Sequence, residues 1–208
     1  MGYHHAGFDE IYGVDIKPHP RYPFHFVRGD VFDVLEQSVI GGEIGITMFD
    51  AIHASPPCQA YSVAWNMRKR EHPKLINRLR DSLVCLGIPY VIENVPNAPL
   101  RHVFRLCGTV FGLTVSVKGT LYELRRHRLF ESSIGILAPP CRHRLPVIGI
   151  YGHGESKPMR DKRGFQISDV TMRRQVMSMP WANRDEIAEA IPPAYTEFIG
   201  RQLLEALQ

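Results

Sequence analysis

The sequence lacks the features that mark membrane-spanning and exported proteins. No stretch approaches the roughly eighteen consecutive apolar residues of a transmembrane helix. The first ten residues, MGYHHAGFDE, have neither the basic start nor the apolar run of a signal peptide. Internal repeats and low-complexity tracts are missing as well. We therefore expect a protein of the cytoplasm, built as a single domain over 1–208.

Cysteine is scarce, and its spacing favours free thiols. The four cysteines are Cys58, Cys85, Cys107 and Cys141, and no two of them form a C-x-x-C pair. Without an export signal, a disulfide framework is not expected. A zinc site can be drawn from Cys107, Cys141 and His143, but their spacing matches no common ligand pattern. The sequence thus predicts no metal.

A small excess of positive charge allows contact with a polyanion. The formal net charge is +4 and the isoelectric point is near 8.9. The positive residues Arg68, Lys69 and Arg70 form one run, and a second basic run spans 125–128. Such runs are typical of solvated faces as well as of nucleic-acid-binding faces, so charge alone leaves both interpretations open.

Short β-branched runs alternate with helical patterns in the first half of the chain. Strands are predicted at 11–16, 24–28, 46–54 and 90–95. Helices are predicted at 31–40, starting after Asp30, and at 75–86, ending at Gly87. This alternation predicts an α/β fold with a doubly wound, mostly parallel sheet, in which ligands bind at the carboxyl ends of the strands.

The second half of the chain has less regular patterns. Between 103 and 176 glycine, proline and basic residues are frequent, and only 147–151 predicts a clear strand, with an irregular insertion at 152–166. Asn183 and Glu186 have the spacing of a capping box. A further helix is predicted after the Pro192-Pro193 pair. The helices at 183–208 should pack back on the core.

Two short motifs follow neighbouring predicted strands. In SPPCQAYS at 55–62, two prolines stiffen a turn that places Cys58 at the carboxyl end of a strand. A thiol there can react as a thiolate if nearby cations lower its pKa, although a buried structural cysteine is the alternative. Glu93-Asn94-Val95 ends the next strand. A thiol and a carboxyl are therefore expected at one edge of the sheet.

These motifs resemble the PCQ and ENV motifs of cytosine-C5 DNA methyltransferases of the small phage or prophage type. The resemblance implies that Cys58 attacks C6 of a flipped cytosine and that Glu93 contacts N3 and the exocyclic amine. In LRRHR, Arg126 and Arg128 match the arginines of the family's Q-x-R-x-R motif and would hold O2 of the base. Leu124 stands where the family has glutamine.

The cofactor that the resemblance implies is S-adenosylmethionine. Asp15 would contact the ribose hydroxyls, Ile16 would pack on the adenine, and Asp30 would reach the adenine amine. Pro57 and Tyr195 would complete the site, the latter within IPPAYTEFIG, which resembles the family's last motif. The family's glycine-rich first motif has no counterpart before Asp15. This predicts a half-built cofactor site, either because translation starts upstream or because the protein is truncated.

Double-stranded DNA is the partner that the resemblance implies, bound by a monomer in the cytoplasm of a bacterial host, in the context of phage or restriction–modification. The loop at 65–73 would close over the phosphates. DNA or base contacts are expected from Gln59, Ser62, Asn94, Arg68, Lys69 and Arg70. Three alternatives remain: a DNA-binding relic without activity, an enzyme that modifies RNA cytosine, and a cysteine hydrolase that pairs Cys58 with His53.

The short target-recognition region at 129–174 predicts weak sequence readout. Larger relatives insert a long recognition domain after the arginine motif, which this chain does not have room for. We expect a context of about two or three bases, because few side chains can reach base edges. Sequencing of methylated products would check this, and a long, strict recognition site would contradict it.

Overall fold

The computed structural model describes residues 1–37, 39–40, 44–61, 72–150, 166–167 and 169–208. Its helices are α1 (Gly2–Ala6), α2 (Val31–Gln37), α3 (Ile76–Leu86), α4 (Val170–Met177), α5 (Arg184–Glu189) and α6 (Pro193–Leu207). The predicted residues Ser62, Arg68, Lys69 and Arg70 lie outside the described residues, as do most of the loop at 65–73 and nearly all of the insertion at 152–166. None of the helices described here is long and apolar enough to cross a bilayer.

The strands complete a mixed α/β protein, as predicted at the level of fold class. They are β1 (Tyr12–Asp15), β2 (His25–Arg28), β3 (Val39–Ile40), β4 (Ile44–Gly45), β5 (Ile52–Ala54), β6 (Tyr90–Asn94), β7 (Phe104–Leu106), β8 (Thr114–Val117), β9 (Thr120–Glu123), β10 (Arg128–Ser132), β11 (Ile148–Gly149) and β12 (Gln166–Ile167).

The largest sheet has four strands in the order β5-β6-β10-β7. Strands β5 and β6 are parallel, whereas β10 is antiparallel to both β6 and β7. Strands β1 and β2 form a separate parallel pair. Within the described ranges no backbone ladder joins this pair to the four-stranded sheet, and instead both contribute side chains to one hydrophobic cluster around Phe32, Leu79 and Ile92.

Two predicted elements are shorter in the structure than in the sequence prediction. Helix α2 begins as predicted, with the Asp30 carboxylate accepting from the Phe32 N–H at 2.8 Å, but it ends at Gln37 and not at residue 40. The β-branched residues that follow pair as β3 with β4 instead. The predicted strand at 46–54 is likewise reduced to β5, because a 3-10 turn at Ile46–Met48 buries Ile46 in the core.

The predicted strands at 11–16, 24–28 and 90–95 are confirmed within one residue at either end, and so are the helix at 75–86 and the two C-terminal helices. The strand predicted at 147–151 is reduced to β11 in the part of the chain that the structure describes. Gly87 ends α3 in the left-handed conformation (φ 70°), and the capping box of Asn183 and Glu186 opens α5. Helix α6 packs against α1 at close range. A Cβ atom on Gly200 would lie 2.7 Å from the Cβ of Ala6, so glycine is what permits this approach.

A buried ion pair fastens α3 to the central sheet. The Arg80 guanidinium donates to both carboxylate oxygens of Glu131 on β10, at 2.6 and 2.7 Å, and the two side chains are 2% and 4% exposed. Glu131 also accepts from the Arg101 N–H at 2.7 Å. Burial raises the pKa of Glu131, but the hydrogen bonds from Arg80 and Arg101 outweigh it, so the net pKa lies below the usual carboxyl range.

Removing the carboxylate from this pair should strongly destabilise the protein. We expect Glu131→Gln to lower the free energy of unfolding by about 3–5 kcal/mol, because it leaves the buried Arg80 charge without its counter-ion. The matched control is Glu36→Gln, which removes the exposed partner of Arg78 and should cost less than about 1 kcal/mol. Urea unfolding of both variants measures the difference, and equal losses would contradict this account.

Candidate functional site

The two motifs that follow β5 and β6 lie side by side at the carboxyl ends of these parallel strands. The Asn94 side chain donates to the Pro56 carbonyl at 2.8 Å, which ties the proline turn to the end of β6. The turn continues through Cys58, whose carbonyl accepts from the Tyr61 N–H at 3.0 Å, with Gln59 between them. Asn94 is buried, and its hydrogen bond to Pro56 holds the turn that carries Cys58.

Strand β10 brings an arginine to the same edge. Because β10 runs antiparallel to β6, its first residue lies beside the last residues of β6. Arg128 Nε is 2.9 Å from Glu93 Oε1. Burial raises the pKa of Glu93, while Arg128, Ser55 and Arg126 act in the opposite direction, and the net pKa stays above the usual carboxyl range. A raised pKa makes a carboxyl a better proton acceptor than an ordinary glutamate.

Cys58 is half-buried within the electrostatic range of this pair. Burial raises the pKa of the Cys58 thiol, the positive charge of Arg128 lowers it, and the negative charge of Glu93 raises it again. The net pKa is raised. A reactive thiolate at this position requires nearby cations to lower the pKa: Arg128 acts in that sense, but burial outweighs it. The resting thiol therefore keeps its proton near neutral pH.

A chain of hydrogen bonds leads from α1 to Glu93, and sequence reasoning missed it. Burial lowers the pKa of His53 to about 4, so its ring is neutral. Its Nδ1 lies 2.5 Å from the Tyr3 hydroxyl, its Nε2 lies 3.2 Å from the Ser55 hydroxyl, and Ser55 in turn bonds Glu93. Because an ionised Glu93 only accepts, Ser55 donates to it, His53 Nε2–H donates to Ser55, and Tyr3 donates to Nδ1.

The two motif arginines have different surroundings. Arg128 is the first residue of β10, whereas Arg126 lies before the strand. Its guanidinium donates to the backbone carbonyls of Ile150 and Ala188, at 3.0 and 2.7 Å. Its own carbonyl accepts from the Tyr195 hydroxyl at 2.6 Å. These contacts fix Arg126 and Tyr195 against each other and against the backbone, and their contacts with base and cofactor stay predictions.

Three of the residues assigned to the cofactor, Asp15, Ile16 and Asp30, lie at the carboxyl edge of the β1–β2 pair. Asp15 ends β1 and accepts from the Lys17 N–H at 2.8 Å, while Asp30 caps α2 directly after β2. The Gly29 N–H donates to the Asp15 carbonyl at 3.1 Å, which holds the two strand ends together. Ile16 is 61% exposed beside them. A carboxylate next to an exposed apolar side chain fits the ribose and adenine of an adenosyl group. Pro57 lies exposed in the Cys58 turn.

Four side chains of metal-ligand type lie close together, and one of them, His127, belongs to the arginine motif. They are Cys107, His127, Cys141 and His143, whose ligand atoms all lie within 4.8 Å of one another. The three residues considered from the sequence, Cys107, Cys141 and His143, do not include His127, which the sequence presents only as part of the arginine motif. Without this fourth ligand, spacing along the chain predicts no metal site. The signal that could have found it is the H-x13-C-x-H spacing of residues 127–143.

Two surface clefts lie away from this edge. One, of about 350 Å³, is lined by residues 9–11 and 23–25, and the other, of about 480 Å³, by residues around Gly87–Tyr90. Both sit where strands β1, β2 and β6 begin. Open α/β sheets bind ligands where the strands end, so neither cleft competes with the Cys58 edge as the functional site.

The raised pKa of Cys58 should be visible in its reactivity. Because the thiolate is the reactive form, the rate of Cys58 alkylation by iodoacetamide should rise with pH to a midpoint above that of a model peptide thiol, whose pKa is about 8.5. Arg128→Gln should move the midpoint higher, while Arg105→Gln, at an exposed position on β7, should leave it unchanged. Peptide mass spectrometry follows Cys58 alone. A midpoint below the peptide value would contradict this reading.

Comparison of the chain with protein-family models, with curated proteins and with solved structures finds no match.

Proposed function

We propose that the protein is a DNA cytosine-C5 methyltransferase that acts through a covalent adduct on Cys58. The observation that carries this proposal is the grouping of a thiol, a buried carboxyl and an arginine at one sheet edge, with Arg128 Nε 2.9 Å from Glu93 Oε1 and both charges acting on the Cys58 pKa. A nucleophile for C6, a proton donor for N3 and a cation for O2 are the groups that this reaction requires.

Each of the three residues has a defined task in the proposed reaction. The Cys58 thiol loses its proton to solvent, its sulfur forms a bond to C6 of the flipped cytosine, and the displaced electron pair moves toward C5 and N3. Glu93 donates a proton or a hydrogen bond to N3, which its raised pKa favours. Once C5 carries the transferred methyl group, the C5 proton passes to water, the N3 proton returns to Glu93, and the C6–S bond breaks, which restores the ring and the free Cys58. Arg128 holds the base and keeps Glu93 oriented.

S-adenosylmethionine, when bound, supplies the methyl group that is transferred to C5. Asp15, Ile16 and Asp30 would hold its adenosyl part at the carboxyl edge of β1 and β2, and Pro57 would face it from the Cys58 turn. This placement is supported by the 61% exposure of Ile16 beside the two carboxylates. The proposed architecture is a Rossmann-like, doubly wound sheet, in which the β1–β2 pair and the four-stranded sheet are the two halves.

Double-stranded DNA is the proposed substrate, and its reacting base would have to leave the helix stack to reach the half-buried Cys58 thiol. An RNA substrate would use the same Cys58, Glu93 and Arg128, and competition between DNA and RNA oligonucleotides separates the two. The cysteine-hydrolase alternative is disfavoured by His53: its ring nitrogens contact Tyr3 and Ser55, and its lowered pKa makes it a poor base.

Replacing the proposed nucleophile should abolish methyl transfer. We expect Cys58→Ala to reduce incorporation of labelled methyl groups into duplex DNA by at least about a thousandfold, since no adduct at C6 can form. The same variant should fail to form a denaturant-stable complex with a 5-fluorocytosine oligonucleotide. Cys85→Ala, which removes an exposed thiol on α3, is the matched control and should keep both properties.

The outcomes separate the proposal from its rivals. Methyl transfer that persists in Cys58→Ala would overturn the mechanism. A wild-type protein that binds DNA but transfers no methyl group and traps no 5-fluorocytosine would instead support the inactive relic. Activity on RNA alone would keep the chemistry and change the substrate.

A further inference from the structure

The geometry points to a structural zinc site formed by Cys107, His127, Cys141 and His143, beside the arginine motif. This site is independent of the methyl-transfer proposal, because it rests on a different set of side chains. Two thiols and two imidazoles are a common donor set of structural zinc sites, and four protein ligands fill a tetrahedral shell without an open position.

The distances between the donor atoms fit a tetrahedral ion. Cys107 Sγ lies 3.6 Å from His143 Nε2, and Cys141 Sγ lies 3.5 Å from His127 Nε2. Zinc bonds of about 2.3 Å to sulfur and about 2.0 Å to nitrogen, set at the tetrahedral angle, place such ligand pairs about 3.5 Å apart. Since all four donor atoms lie within 4.8 Å of one another, one ion can reach them all with small side-chain movements.

Sheet register brings the first two ligands together from distant parts of the sequence. Leu106 on β7 is paired with Arg128 on β10. The residues that come next at this end of the ladder are Cys107, directly after β7, and His127, directly before β10. The backbone therefore delivers one thiol and one imidazole to the same place before any metal binds, which lowers the ordering cost of forming the site.

The other two ligands come from one segment after β10 that is neither helix nor strand. Cys141 and His143 are separated by one residue, so in an extended chain both side chains point to the same side. This segment is fastened just beyond the ligands, where the Glu123 carboxylate accepts from the N–H groups of Arg144 and Leu145, each at 3.1 Å. The ligand pair is thus tied to the end of β9 by contacts that do not involve the proposed ion.

The surroundings of Cys107 suit a metal-bound thiolate. Cys107 is fully buried, and the Thr109 hydroxyl lies 3.3 Å from its sulfur in position to donate a hydrogen bond. Hydrogen bonds to coordinating atoms of this kind orient ligands and tune metal affinity. His143 is the exposed member of the set and lies on the surface side.

The proposed ion would fix the segment that carries the arginine motif. His127 lies between Arg126, which is bonded to the backbone of Ile150 and Ala188, and Arg128, which is paired with Glu93. Coordination of the His127 ring would hold this short stretch at a third point. A zinc ion here is a positioning element for Arg128 and takes no part in bond making.

Metal analysis of the purified, untagged protein tests this proposal directly. We expect about one zinc ion per chain after expression in zinc-supplemented medium and dialysis. Cobalt(II) added to the reduced, zinc-free protein should give the intense visible bands of a tetrahedral site together with thiolate-to-cobalt charge transfer in the near ultraviolet. Cys107→Ser, Cys141→Ser and His127→Gln should each bring the zinc content close to zero and weaken both cobalt signals.

Matched variants separate the cluster from the other thiols and imidazoles. Cys85→Ser and His5→Gln, both at exposed positions, should keep the full zinc content. Cys58→Ser should keep it as well, so that loss of methyl transfer and loss of zinc are distinct results. If the buried Cys107 variant does not fold, Cys141→Ser and the exposed His143→Gln decide the question.

Three results would overturn the proposal. The first is a wild-type protein that retains no zinc and gives no tetrahedral cobalt spectrum when reduced. The second is full zinc content in Cys141→Ser and His127→Gln. The third is a Cys107–Cys141 disulfide, seen as a mass lower by two hydrogen atoms, in protein that was purified under reducing conditions.

Discussion

The antiparallel pairing of β6 with β10 is the constraint on which the rest of this structure depends. It places two buried carboxylates on adjacent strands, and each meets an arginine: Glu131 on β10 pairs with Arg80 of α3, and Glu93 on β6 pairs with Arg128 of β10. The two pairs differ in their electrostatics. The net pKa of Glu131 is lowered because hydrogen bonds outweigh burial, whereas that of Glu93 is raised because burial outweighs its partners. One pair is suited to holding a helix on the sheet, and the other to proton chemistry.

Strand β10 also connects the candidate catalytic edge with the Cys/His cluster. Its first residue, Arg128, contacts Glu93, and the residue before it, His127, contacts Cys141. Arg126 then anchors the same stretch through Ile150 and Ala188, with Tyr195 beneath it. Three consecutive residues therefore contact three different parts of the structure, and none of the three is exposed. A displacement of the backbone at one of these three residues would therefore change the contacts of the other two.

Local sequence patterns predicted the elements whose ends carry strong signals. Asp30 starts α2, Gly87 ends α3, and Asn183 with Glu186 opens α5, because caps and left-handed glycines act over only a few residues. The predictions failed where tertiary contacts override local preference. Helix α2 stops at Gln37 because the following residues pair as a small hairpin, and the predicted strand at 46–54 loses its first part because Ile46 is buried in a 3-10 turn.

By itself, the sequence determined that a thiol and a carboxyl follow adjacent strands, since a proline turn after a strand and a polar strand end are local properties of the chain. Only the tertiary structure decided which cation meets Glu93, that burial raises the pKa of Cys58, and that Tyr3 reaches the site through His53 and Ser55. It also brought Cys107 beside His127. The physical reason is the same in each case. Desolvation, strand register and contacts between residues far apart in sequence depend on how the whole chain packs, so local spacing along the chain does not predict them.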